Sequence, residues 1–448
     1  MARARTVLPD PSYEELFTRA RNRLPGSQLP ELAELRRQAW RRVCEIGLPT
    51  SRVEEWKYTS ILGRVQKALP LLEATAPPLE QLKAAFAGGV EARRLIFVNG
   101  RLVPELSHTG GLPDGMAITS LERLAARQPE RLAALTRPAE EEGSAFAWLN
   151  AAFWTSGAVV ELAAGVRPQA PLQLLFFQDA REQAGMTHPR LVVRLGPGAR
   201  LHLIESHLGE GEAGQWVNLV GAVELGEGAE LVHEVMQAPP QSATLLARSR
   251  IQLAAGARLV RNIASLGGGL VRNETEVHLC GSGAEALLNG LYMPMEREHV
   301  DQFVRVHHEQ PGCHSDQFFK GIVGGKARAV FAGRIMVYRD AQKTNAYQAN
   351  NNLLLSDEAE VDTKPELEIF ADDVKCSHGA TVGALDPSAL FYLRARGLPQ
   401  AVAESLLTYA FAGEVLERVV DPHLRGQMAR RVLDRVPGGG ALEAEGLV

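Results

Sequence analysis

The 448-residue sequence predicts a mainly β fold, with a parallel β-helix core flanked by N-terminal and C-terminal α-helical domains. Two observations carry this reading. Helical periodicity is confined to the ends of the chain, whereas the middle consists of short β-rich runs. Through that middle a Gly-Ala dipeptide recurs at nearly constant spacing, as the repeating corner of a solenoid would. Composition agrees: 45% hydrophobic and 23% charged residues describe an ordinary globular chain, long enough to bury a large core. The expected divisions are a helical domain over 1–92, a mixed lead-in and β-helix over 93–384, a helical domain over 385–437 and a disordered Gly-rich tail over 438–448.

In the first division, Ser12 and Glu15 have capping-box spacing. Leu32, Leu35, Ala39, Val43 and Ile46 then recur at helical intervals, and Gly47 with Pro49 marks the stop. In the run Arg52 to Thr59, Trp56 and Tyr58 are expected to pack the segment onto another part of the molecule. A strand-like Leu95 to Val98 and an Asn99-Gly100 turn open the lead-in, followed by Ala- and Leu-rich helical pieces. The longest uncharged stretch, Gly143 to Val160, is short for a membrane span and contains Asn150, Thr155 and Ser156. A helix running into a strand accounts for it.

From about 157 to 380, runs such as Leu174 to Phe177 and Leu191 to Leu195 read as strands. The corner glycines fall at 198, 228, 256 and 283, with spacings of 30, 28 and 27. Glycine permits the positive φ of a tight corner, and the small alanine lets corners stack. Unrelated hairpin turns in a sandwich are the alternative. Asn350-Asn351-Asn352 is a candidate for a stacked amide corner or a polar loop. Beyond about 385, Asp386-Pro387-Ser388 starts a helix, Gly397 and Pro399 separate it from a second near 399–420, and a third covers about 421–436. Truncation after Leu385 is expected to leave the β-helix folded.

Several function classes are excluded. With 48 Lys and Arg against 53 Asp and Glu, a net charge of -5 argues against a general phosphate-binding surface such as nucleic acid needs, leaving room only for a local basic patch. The N-terminus has no apolar run behind its basic residues, so a secretory signal is not expected, and the location should be cytoplasmic. Only four cysteines occur, Cys44, Cys280, Cys313 and Cys376, no two of them closer than 33 residues. They form neither a disulfide scaffold nor a sequence-local metal cage. Gly196-Pro-Gly198 lacks the third glycine of a dinucleotide fingerprint. Gly324-Gly-Lys326-Ala327 lacks the early glycine and the Ser or Thr of a P-loop, so the chain is not itself an ATPase.

Cys376-Ser377-His378 is the sharpest candidate site. On a strand its thiol and imidazole share a face, and Lys375 with a protonated His378 is expected to lower the thiol pKa. Two such side chains are too few to close a metal site. A buried structural cysteine beside a surface histidine is the alternative. His307, His308, Cys313 and His314 form a second metal-capable cluster or a polar loop, with His308 and Cys313 its candidate ligands. Asp372-Asp373 are adjacent on a strand, face opposite ways and make poor acid–base partners.

The segments Gln317 to Gly321, Ala329 to Gly333, Gln342 to Thr344, Asn351 to Leu355, Glu360 to Pro365, Leu367 to Ile369, Ala371 to Thr381 and Phe391 to Gly397 occur in order. Together they resemble the SufB/SufD family, the scaffold proteins of SUF iron–sulfur cluster assembly. Lys-Cys-Ser-His-Gly-Ala-Thr from Lys375, and Glu-Glu-Trp-Lys-Tyr-Thr from Glu54, look like the D-type subunit. The resemblance implies a right-handed β-helix and a complex with a SufB-like subunit and a SufC-like ATPase. The ATPase would dock on the C-terminal helices, through Phe391, Tyr392, Arg394 and Arg396. A transient cluster or iron would be shared with SufB at the end of the β-helix, held here by His378 as metal ligand with Cys376 beside it. No cofactor would be held stably by this chain alone, and isolated chains could pair as homodimers through the exposed end. Rival readings are a SufB-type sulfur-accepting subunit, disfavoured by the few cysteines, and a β-helix carbohydrate-active enzyme. The latter would need an acidic or calcium-bound groove. A purely structural solenoid leaves Cys376-Ser377-His378 unexplained.

Overall fold

Gly198, Gly228, Gly256 and Gly283 occupy one column of corners, each with φ between 60° and 69°. An L side chain is disfavoured there by its Cβ, so glycine is the residue that makes the corner without strain. Each glycine N–H donates to a carbonyl of the next coil, on Glu227, Ala255, Ser282 and Pro311 respectively, at 2.8–3.2 Å. The alanines that follow, Ala199, Ala229, Ala257 and Ala284, are fully buried under the stack. The sequence spacing is the strand register itself. Leu201 pairs with Leu231, Leu231 with Leu259, and Leu259 with Ala286, offsets of 30, 28 and 27.

Two further corners extend the column. Gly312 has φ 71° and is followed by Cys313, which fills the alanine position and is fully buried. Lys343 then takes φ 60°, and its N–H donates to the Asp373 carbonyl at 2.6 Å.

The computed structural model describes residues 5–444, except 74, 77–78, 90 and 140–141. Successive solenoid strands alternate between two ten-stranded sheets. The first sheet runs from the hairpin of Arg93–Val98 and Arg101–Leu102 to Val374–Gly383. The second runs from Met116–Ser120 to Glu360–Ile369. Strands one coil apart pair in parallel, and within these two sheets the antiparallel pairs among the described residues lie at the N-terminal edges. Inward residues alternate with outward ones, and the inner columns, such as Leu201, Leu231, Leu259 and Ala286, form the core between the sheets.

Helices cover part of both outer faces. Tyr13 of Pro11–Ala20, Trp40 of Pro30–Ile46 and Phe153 of Ala145–Phe153 pack on Trp216, Leu246 and Leu270 of the second sheet. Ala412 and Val415 of Gln400–Leu416 and Met428 of Pro422–Arg435 pack on Ile204, Met236, Leu291 and Ile322 of the first. The buried Glu234 carboxylate fastens that second group by accepting the N–H groups of Val420 and Asp421. The layers are therefore helices, sheet, sheet, helices. The expected solenoid core with helical flanks is the observed architecture, and Gly143 to Val160 is a helix leading into the strand Gly157–Leu162.

Three local expectations are corrected. The first helix is capped by the Asp10 carboxylate, which accepts the Ser12 N–H at 3.0 Å, while the Ser12 hydroxyl accepts the Ala68 N–H instead. Asn350 to Asn352 lies within the strand Thr344–Leu354 and not at a corner. Its amides are satisfied inside the solenoid: Asn350 donates to the Tyr292 hydroxyl at 2.7 Å and Asn352 to Asn350 at 2.8 Å. Within the tail expected to be disordered, Gly439–Ala444 is helical and Leu442 is buried against Val402 and Leu433, while 445–448 lie outside the described residues. Among the described residues no helix is long and apolar enough to cross a membrane.

Candidate functional site at the open end of the solenoid

The last coil consists of Glu360–Ile369 and Val374–Gly383, each the final strand of its sheet. Their outer edges carry no further strand among the described residues. Such an edge presents backbone donors and acceptors to any strand that can reach them. The rim adds exposed apolar groups, with Phe370 61% and Val382 47% exposed.

Cys376 and His378 stand two apart on the final strand and therefore share a face. Cys376 is in register with Ala346 and half-buried against the small apolar cluster of Ile335, Val337 and Ala346. That burial pushes its thiol pKa up. The lowering expected from Lys375 and His378 is not found, because desolvation by the cluster dominates at the sulfur. His378 is exposed. It stands in register with Gln348, whose buried amide donates to Gln317 at 2.8 Å, so the imidazole continues a polar column at the mouth of the solenoid. The structure thus presents one accessible imidazole and one protonated, sheltered thiol side by side. Those two groups can contribute ligands to a metal completed by another molecule, and they cannot close a site themselves.

The second sequence cluster is dispersed. His308 points inward, fully buried, with Nε2 hydrogen-bonded to the Ser315 hydroxyl at 2.8 Å. Cys313 occupies its corner with the sulfur 3.3 Å from the Gly281 carbonyl. His314 has Nδ1 3.2 Å from the Asn345 carbonyl. His307 faces outward and joins Glu276 and His278, a grouping that the sequence reading missed. The available signal was the coil period: Glu276 and His278 have strand spacing, and His307 lies one register step from His278. Asp372 and Asp373 lie in the bend before the final strand, both exposed. The P-loop-like Gly324 to Ala327 is a solenoid corner, with Gly325 at φ 64°.

Beyond the last coil, the helix Pro387–Ala395 is capped by Asp386 and buries none of its residues. Phe391 is 73% and Tyr392 55% exposed, Arg394 and Arg396 are exposed, and the Arg396 guanidinium lies 4.3 Å over the Tyr392 ring. The Glu54–Trp56 turn near the N-terminus lies on the second sheet. Trp56 stacks 4.0 Å from the Arg272 guanidinium, and Glu54 pairs with Lys364 of the last coil at 2.6 Å.

Residues 176–411 match the family model of the SUF system FeS cluster assembly SufBD core domain, and residues 9–174 match that of the SufBD protein N-terminal region. The chain is 34% identical over 405 residues to the iron-sulfur cluster assembly protein SufD of Escherichia coli, covering 90% of this chain and 92% of that protein. It is 33% identical over 395 residues to an iron-sulfur cluster assembly SufBD family protein of Synechocystis sp., covering 86% and 87%. The chain belongs to the SufB/SufD family of SUF iron–sulfur cluster assembly scaffold proteins, and its likeness is to SufD.

Proposed function

We propose that this chain works in the cytoplasm as the SufD-like subunit of a scaffold that it forms with a SufB-like subunit and a SufC-like ATPase. The open solenoid end would receive the SufB-like subunit, and a nascent iron–sulfur cluster, or the iron for it, would be held between the two. The exposed helix Pro387–Ala395 would receive the ATPase. In this reading the chain has no catalytic activity alone, and nucleotide chemistry belongs to the partner.

The observation that carries the proposal is His378, an exposed imidazole beside Cys376 on a final strand whose outer edge no other strand among the described residues covers. An exposed imidazole is a ready ligand for iron. The Cys376 thiol, raised by burial, is mostly protonated at neutral pH and can bind metal only as its proton leaves. His378 is thus the ligand offered first, with Cys376 following once metal arrives.

Co-expression with SufB-like and SufC-like proteins, followed by affinity purification through this chain, tests the assembly. Retention of neither partner would overturn it. Within an intact complex, His378→Ala should reduce cluster assembly by roughly tenfold or more, since even residues that only support metal ligands are worth 10–100-fold. Cys376→Ala should cost less. Unimpaired assembly in His378→Ala would reduce that histidine to a surface residue.

A further inference from the structure

We infer that Glu276, His278 and His307 form a binding site for one first-row divalent cation of the Zn²⁺ or Fe²⁺ type, on the outer face of the second sheet. This site is separate from the open end and does not depend on the function proposed for it. Glu276 and His278 lie two apart on Leu270–Leu279 and share a face, and His307 is in register with His278 one coil on. The two imidazoles stack with centroids 4.5 Å apart and planes 4° from parallel. Both Nε2 atoms turn toward the same carboxylate oxygen: Glu276 Oε1 is 3.6 Å from His278 and 3.5 Å from His307. Bonds of about 2.0–2.1 Å in a tetrahedral set place neighbouring ligand atoms roughly 3.4 Å apart, close to the two Glu276-to-imidazole separations; a rotation of the stacked rings out of parallel turns both Nε2 lone pairs onto one ion.

Hydrogen bonding points the same way. Among the described residues both Nε2 atoms, shut off from solvent, have no partner other than the Glu276 carboxylate, and 3.5–3.6 Å is long for a good bond to it. Buried ring nitrogens seldom go unpaired. The other ring nitrogens are engaged: His278 Nδ1 is 2.7 Å from Glu309 Oε1, and His307 Nδ1 is 3.3 Å from the Tyr338 hydroxyl. Metal-bound histidines are oriented by this kind of Nδ1 partner, commonly a carboxylate. The second carboxylate oxygen of Glu276 is held by Arg248 at 3.1 Å and Arg305 at 3.6 Å, which leaves Oε1 for the ion. A cleft of about 600 Å³ lined by Glu276 and His278 borders the site. Two imidazoles and one carboxylate suit zinc or ferrous iron better than calcium or magnesium, which favour oxygen-only shells.

The test uses the full chain, stripped with a chelator and titrated with Zn²⁺ by calorimetry, and with Co²⁺ as a visible-absorbance probe. We expect one equivalent of Zn²⁺ to bind, with affinity at least roughly tenfold weaker in His307→Ala and Glu276→Gln. Cys376→Ala/His378→Ala should bind it undiminished, which separates this site from the open end. His307→Cys should keep Co²⁺ and add a thiolate-to-cobalt band in the near ultraviolet, a result that a structural role for His307 would not produce. The inference fails if the stripped wild type binds no Zn²⁺, if a folded His307→Ala binds as tightly as wild type, or if His307→Cys gives no such band.

Discussion

His307 and His308 are sequence neighbours that end in opposite environments because a strand turns successive side chains to opposite faces. His307 joins the outer Glu276–His278 group, whereas His308 is sealed inside the solenoid. Burial, with the charges of His314 and His307 adding to it, pushes the His308 pKa down to about 4. An unfolded histidine titrates near 6.5, so between about pH 6.5 and 4 the unfolded chain binds more protons. The stability this group contributes is full above about pH 6.5 and drains away as pH falls toward 4. His308→Gln retains a polar group for Ser315 without that titration. Its stability should fall less than the wild type's between pH 7 and pH 4.5, by on the order of 1–2 kcal/mol. Denaturant melts at the two pH values check this, and parallel losses in both proteins would refute it. His299, also lowered to about 4 by burial, and the buried His188 and His233, likewise lowered, contribute to the background slope that both share. At Cys376 the sequence placed thiol and imidazole on one face correctly, but it could not reveal the apolar cluster that raises the thiol. The cluster includes Ile335 and Val337, about forty residues and more than a coil away.

At the scale of the element, the corner explains both what the sequence made legible and what it hid. Four corners were readable because Gly-Ala satisfies two separate demands, positive φ and a small buried side chain. The fifth was hidden by Cys313 in the alanine position, and the sixth by Lys343 in the glycine position. The hidden members also explain why the His307 to His314 cluster looked like a metal site: Cys313 is a packing residue of the column. These corners are open to a sharp comparison. A Cβ at Gly228 would meet no atom within 4 Å, so its φ of 60° is the sole obstacle to substitution. Gly228→Ala should therefore lose about 1–2 kcal/mol, the cost of a left-handed L-residue. Lys343 already bears that cost, and its side chain is exposed. Lys343→Gly should gain roughly 0.5–1 kcal/mol. Equilibrium unfolding of the two variants should show shifts of opposite sign. A destabilised Lys343→Gly would mean that the lysine side chain contributes more to the corner than its backbone strain removes.

Across the whole molecule, the helical ends are structural walls as well as flanking domains, and this revises the expectation for truncation. Periodicity located the C-terminal helices, yet it did not indicate that Ala412, Val415 and Met428 lie against Ile204, Met236, Leu291 and Ile322 of the first sheet. Burying an aliphatic side chain of this size is worth about 1.5–3 kcal/mol. Removing everything after Leu385 would expose four of them and strip the Glu234 carboxylate of its backbone partners. The truncated solenoid should be markedly destabilised, contrary to what the sequence alone suggested, so its loss of a partner would say little about docking. Phe391 and Tyr392 offer a cleaner test, because they stand on the one C-terminal helix of eight or more described residues that buries none of its side chains. Serine at both positions removes apolar area already in solvent, which should leave stability within about 0.5 kcal/mol of wild type. Aromatic hot spots at the centre of an interface are worth about 2 kcal/mol or more. The double variant should therefore retain a SufC-like ATPase at least roughly thirtyfold less well in affinity purification, while still retaining a SufB-like subunit through the open end. Undiminished ATPase retention by a protein with an unchanged melting curve would move the docking surface away from this helix.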